Sequence, residues 1–184
     1  MLRTIALAGA LVLGLFPRAW AAQPAGPIPV FSVRDYGAAG DGRHKETAAI
    51  QKAIDAAERS GGGTVYFPPG AYLSGTIYAK SGVTLHVEFG AALLGSADPA
   101  DYPGNACAFR SYSDNYVRQA LIWGEGLHDI AIVGRGVING QGGAFNGLPW
   151  LQRPYLIRFI TCRAVRCGAT DRSSATTPAT TGAA

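Results

Sequence analysis

From Gly63 onward the sequence is a run of short apolar strands with no helix between them. "TVYFPPG", "AYLSGTIYA", "GVTLHVEFGAALLGS", "QALIWGEG", "DIAIVGRGVINGQG" and "YLIRFITC" are each bounded by Gly, Pro, Asn or Ser, the residues that end strands and shape turns. A doubly wound α/β fold needs helix-period segments between its strands, and this stretch has none. Two of the strings share a pattern: "VTLHVEFGAALLG" and "IAIVGRGVING" both run apolar-x-apolar, then Gly, then apolar again, then Gly. Such a pattern fits a right-handed parallel β-helix, where each coil stacks on the last and inward side chains build one apolar column. A sandwich or barrel stays open at this level. It calls for polar–apolar alternation and hairpin turns of the Asn-Gly type, and that dipeptide occurs at Asn139-Gly140 and Asn146-Gly147.

One helix precedes the strands. In "HKETAAIQKAIDAAERSGGG", Ile50, Ala53, Ile54 and Ala57 fall at i, i+3, i+4 and i+7, the mark of a helix with a single apolar face. Lys45, Lys52, Glu58 and Arg59 fall elsewhere, and Gly61, Gly62 and Gly63 end it, because Gly accepts the left-handed C-cap conformation. A β-helix has an open end that must be covered, and an amphipathic helix over residues 46–59 suits that task.

The first residues read as a targeting signal. Met1-Leu2-Arg3 is positively charged, Ile5 to Phe16 is apolar, and Ala19-Trp20-Ala21 offers a small-residue cleavage site. The run is too short to cross a membrane, which takes about 20 residues. Residues 1–21 are therefore expected to be a signal peptide, and the chain to be secreted or periplasmic. Residues 22–30 read as a Pro-rich linker. The net charge is +4; without Arg3 and Arg18 it is +2, from 14 basic and 12 acidic residues. With no Lys/Arg run, that balance gives no footing for a nucleic-acid partner. Cys107, Cys162 and Cys167 are odd in number and lack metal-type spacing, so buried or stray thiols are expected and no metal.

Four segments, taken together, carry a family resemblance: "DYGAAGDG", "TAAIQKAIDAAERSGGGTVYFPPGAYLSGTIYAKSGVTLHVEFGAALLGS", "GRGVINGQG" and "RPYLIRFITC". In order and content they resemble the N-terminal part of the polygalacturonases, glycoside hydrolase family 28, over about residues 31–163. The opening segment alone also resembles other pectate-lyase-like β-helix proteins. The resemblance implies an all-β, right-handed parallel β-helix with one N-terminal capping helix. It also implies secretion and inverting hydrolysis of α-1,4-galacturonosyl bonds in pectin, without metal or other cofactor. It implies a polygalacturonate substrate; no membrane span and a monomer are expected besides. In the family, aspartates of an Asn-Thr-Asp motif and an Asp-Asp pair do the chemistry, with Gly-His-Gly and Arg-Ile-Lys motifs beside them. Inversion needs carboxyls about 6.5–9.5 Å apart, to leave room for water.

None of those four motifs occurs between Met1 and Ala184. No two aspartates are adjacent, and His44, His86 and His128 have no glycine neighbours; the nearest string to Asn-Thr-Asp is Ala169-Thr170-Asp171. No catalytic residue is therefore assigned. The strand pattern fades near Ala164 into Ala, Ser, Thr and Gly. Residues 164–184 are expected to be a low-complexity tail, disordered or translated out of frame, ending a truncated β-helix; an S/T-rich stalk is the rival reading.

Substrate contact is expected of Arg110 and Arg118 in the polar insertion, and of Trp150 and Arg153 before the last strand. Trp offers a face to sugar rings and Arg pairs with carboxylates. Phe67, Tyr72, Tyr78 and Phe89 read as core or turn packing rather than as sugar platforms, and Asp35 and Asp41 as turn formers. Three functions compete: an inactive N-terminal part of a secreted pectin hydrolase, a non-catalytic carbohydrate-binding module, and a structural β-helix piece.

Overall fold

The structure, a computed structural model, describes residues 26–108 and 117–168. The chain opens with strand β1 (Val30–Ser32), a 3-10 turn and β2 (Asp41–Lys45), then helix α1 (Thr47–Arg59). Ten strands follow: β3 (Gly63–Phe67), β4 (Gly70–Ser74), β5 (Ile77–Tyr78), β6 (Val83–Val87), β7 (Ala91–Gly95), β8 (Ala120–Glu125), β9 (His128–Gly134), β10 (Val137–Asn139), β11 (Tyr155–Ile160) and β12 (Arg163–Gly168). They pair in parallel into three sheets. The first has the order β1-β3-β6-β9-β12, the second β10-β7-β4-β2, the third β11-β8-β5. Every third strand returns to the same sheet, one coil further on. This is the right-handed parallel β-helix, and the parallel pairing rules out the sandwich.

Period-two alternation in each strand becomes three inward columns. Val65, Leu85 and Ile132 stack in the first sheet. Tyr72, Leu93 and Ile138 stack in the second, and Ile77, Ile122 and Ile157 in the third. All of these but Ile138 and Ile157 are buried. Fully burying one such side chain is worth about 1.5–3 kcal/mol, so the columns supply the main adhesion between coils. The two similar strings of the sequence are successive coils: β6–β7 and β9–β10 lie in register, Leu85 on Ile132 and Leu93 on Ile138. Gly134 ends β9 with φ of 124°, and a side chain there would run into the Val87 carbonyl of the coil below.

Among the described residues α1 is the one α-helix, and it covers the first coil. Ile50, Ala53, Ile54 and Ala57 have no solvent exposure, so the apolar stripe expected from the spacing is the buried face. Glu46, just ahead of the helix, is buried, and its carboxylate accepts the Ala39 and Gly40 N–H groups at 2.7 Å each. That bond pair closes the Gly-rich turn onto the helix start.

At the far end, β12 pairs with β9 from Arg163 to Gly168, so strand pairing runs four residues past Ala164, where the apolar pattern fades. Its side chains are exposed, which is why no alternation marks it. Residues 1–25 and 169–184, carrying the expected signal, the first four residues of the linker and most of the tail, lie outside the described residues.

Candidate functional site

The three sheets meet at three corners, and only one grows. Between the second and third sheets the first coil needs just Gly75 and Thr76, the next inserts residues 96–119, and the third inserts residues 140–154. Both insertions therefore leave the same edge of the β-helix, beside the outer face of the third sheet.

The first insertion starts on a short 3-10 turn, Pro99–Asp101, capped by Asp98, whose carboxylate accepts the Ala100 N–H at 3.0 Å. The Asp101 carbonyl accepts the Thr76 N–H at 3.0 Å, fixing the turn against the first coil. Lys45 completes the anchor, its ammonium 2.7 Å from Asp101 and 3.4 Å from Asp98. Burial pushes the Asp101 carboxyl up, but the Lys45 and Ser96 hydrogen bonds and the Lys45 charge outweigh it and hold the group below its ordinary value. The same contacts, Asp101 foremost, raise Lys45. Tyr102 is buried, donates to the Ser96 carbonyl at 2.7 Å and is pushed up to about 12 by that burial, with the Asp101 charge adding to it. Its ring meets Phe145 edge-on at 5.6 Å, which ties the two insertions together.

On the third sheet the outward ladder is Tyr78, Trp123 and Arg158, each one coil apart. Residues 103–108 lie across it. Tyr78 donates to Asn105 Oδ1 at 3.0 Å, and Glu125 Oε1 accepts the Ala108 N–H at 2.7 Å. Trp123 is buried. The Arg158 guanidinium sits 5.8 Å from the Trp123 ring centre and 5.4 Å from that of Tyr155, an aromatic–cation stack on the flank of the β-helix.

The expected contact residues fall around this face unevenly. Trp150 is 55% exposed on the second insertion, free to present its ring. Arg153 donates through Nε to the Leu148 carbonyl and through Nη2 to that of Asn146, both at 3.0 Å, so part of its guanidinium braces its own loop. Arg118 is exposed at the foot of the first insertion, its carbonyl accepting from Asn105. Arg110 lies outside the described residues. The stack of Trp123, Tyr155 and Arg158 was not singled out by sequence reasoning. The alternation in "YLIRF" was the available signal, since it sets Arg158 opposite the inward Ile157, but the coil that brings Trp123 beneath it is invisible in a single strand.

Among the described residues, five aspartates have structural partners. Asp41 accepts the Arg43 and His44 N–H groups at 2.9 and 3.1 Å and lies 2.6 Å from the His44 ring. The Arg43 and His44 backbone bonds, then His44's side chain, hold it at about 2. Asp55 sits on α1 with Gln51 at 2.9 Å. Asp129 contacts His128, and Asp98 and Asp101 share Lys45. A general acid needs a raised carboxyl pKa; Asp41 and Asp101 move the other way. Among the described residues no group of three or more His, Cys, Asp or Glu could hold a metal ion, and Cys107, Cys162 and Cys167 are free thiols.

Residues 30–93 match the family model "Rhamnogalacturonase A/epimerase, pectate lyase-like". The chain is 39% identical over 123 residues to an exo-poly-alpha-D-galacturonosidase of Dickeya chrysanthemi, covering 61% of this chain and 20% of that protein. It is 36% identical over 125 residues to plasmin and fibronectin-binding protein A of Streptococcus pneumoniae, covering 64% of this chain and 17% of that protein. Among solved structures, a hyperthermoactive exopolygalacturonase from Thermotoga maritima superposes with a TM-score of 0.64 at 24% identity, over 78% of this chain and 41% of that one. The chain thus spans about a fifth of the length of these curated relatives. No helix of the described residues is long and apolar enough to cross a membrane. The matches are thus to pectate-lyase-like parallel β-helix proteins, exopolygalacturonases among them, over part of this chain.

Proposed function

We propose that residues 26–168 form the N-terminal coils of a pectin-acting protein of the polygalacturonase kind. In this reading the outer face of the third sheet, with its two insertions, contacts the polysaccharide. Arg118, Trp150 and Arg153 edge that face and Arg158 lies on it, with Tyr155 against its guanidinium; Arg110, outside the described residues, belongs to the proposal as a further contact residue. Export through residues 1–21 belongs to the same proposal.

We also propose that residues 1–184 do not cleave pectin by themselves. The supporting observation is the state of the carboxylates: the two described aspartates with a resolved shift, Asp41 and Asp101, are both pulled down. Inverting hydrolysis needs two carboxyls at fixed separation, one of them kept protonated. The match to a streptococcal plasmin and fibronectin-binding protein supports the second reading, a β-helix that binds without chemistry. The test is a reducing-end assay on the purified chain with polygalacturonic acid. The expected result is no release above a buffer blank. Turnover that disappears when one of the eight aspartates of the sequence is changed to Asn would place an active site in this chain and defeat the proposal.

A further inference from the structure

Of the four aromatics assigned to packing from the sequence, Phe67 and Tyr72 have no exposure, whereas Phe89 is 68% exposed. Burying such a ring would be worth about 1.5–3 kcal/mol, so packing does not account for its place. It stands on the tight turn of residues 88–91 between β6 and β7. That turn is rigid: the Ala91 N–H bonds the Glu88 carbonyl at 2.9 Å, Gly90 takes φ of 79°, and Glu88 Oε1 accepts the Phe89 N–H at 2.7 Å. Arg135, on the equivalent turn one coil later, sets its guanidinium 5.7 Å from the Phe89 ring centre. Glu88 Oε2 accepts from Tyr66 at 3.4 Å and lies 3.6 Å from His86 Nε2. A fixed apolar surface is thus rimmed by donors and an acceptor. It belongs to the corner between the first and second sheets, not the corner that carries the insertions.

We propose that this turn is a second saccharide-contact site, with Phe89 stacking on the C–H face of a pyranose and Arg135 pairing with the carboxylate of a uronate. Glu88 and His86 then meet ring hydroxyls. The inference rests on the polysaccharide reading above for its ligand class. Because the turn is already ordered, little conformational freedom is lost on binding. The Phe89 N–H bond holds the Glu88 carboxyl below its ordinary value, with the His86 and Arg135 charges helping against burial, so it is an acceptor at neutral pH.

The test is an NMR titration of the purified full chain with a short oligogalacturonate and, separately, a neutral galactan oligosaccharide. The amides of residues 88–91 and 134–136 are followed. Oligogalacturonate is expected to shift them, and Phe89→Ala to weaken that response about tenfold, the scale of one aromatic contact, with the rest of the spectrum unchanged. Arg135→Gln is expected to remove the preference for the uronate over the neutral probe. No shift at these amides, or an unaltered response in Phe89→Ala, overturns the second site. Binding confined to the third-sheet face overturns it while the main reading stands, and no binding of either probe overturns both.

Discussion

Lys45 is a single side chain that joins the first coil to the first insertion, and its partners make that join pH-dependent. Asp101 is held below 3.8, the ordinary aspartate value. Its contribution is therefore present above pH 3.8 and lost as the pH falls through the lowered value. Lys45 is raised from 10.5, and Tyr102 from 10.0 to about 12. Their contributions are present below those ordinary values and lost as the pH rises through the raised ones. Thermal melts are expected to be flat between these limits and to fall on both sides. Asp101→Asn should make the acid limb shallower, leaving the Asp41 and Glu88 parts of it and the burial part of the Tyr102 alkaline limb. An acid limb unchanged in that variant would detach Asp101 from it. At this scale the sequence was legible where the cue is local. Asp41 beside Gly reads as a turn former, and its carboxylate caps two N–H groups. Phe89, read as core or turn packing, is on a turn but exposed, because nothing local tells whether an aromatic on a turn has a neighbouring coil to pack against.

The helix illustrates what periodicity can and cannot tell. Its apolar stripe was legible from four residues at i, i+3, i+4 and i+7, all of them buried. Gln51 was not legible, since nothing local marks a polar residue as an edge partner. Its amide nitrogen donates to the Tyr78 carbonyl at 3.1 Å and its oxygen accepts the Tyr78 N–H at 2.8 Å. The cap thus supplies, through one side chain, the hydrogen bonds that a preceding strand would give to β5, an edge otherwise open to mispairing. Gln51→Ala is expected to cost about 1–3 kcal/mol, the range for leaving such groups unsatisfied, and to speed hydrogen exchange at Tyr78. Unchanged denaturant midpoint and exchange would mean that water replaces the amide without loss. The strands themselves were legible from their boundaries, but their assignment to three sheets was not, because it depends on registers set between coils. β12 escaped for a related reason: its side chains face solvent, and pairing with β9 alone carries it.

For the whole molecule, the β-helix fixes where variation can go. Inward columns demand apolar residues in every coil, two corners stay tight, and the third takes the insertions at residues 96–119 and 140–154. That places loops of variable length beside a regular face whose outward ladder is Tyr78, Trp123 and Arg158, with Trp123 buried, the side proposed to take the polysaccharide. The most direct measurement is hydrogen–deuterium exchange of the purified chain with and without oligogalacturonate. The expected result is slower exchange in residues 77–78, 103–108, 120–125 and 155–160, the third sheet and the segment across it. Slowing that spares these residues, or none anywhere at saturating oligogalacturonate, would contradict the assignment of this face to the polysaccharide.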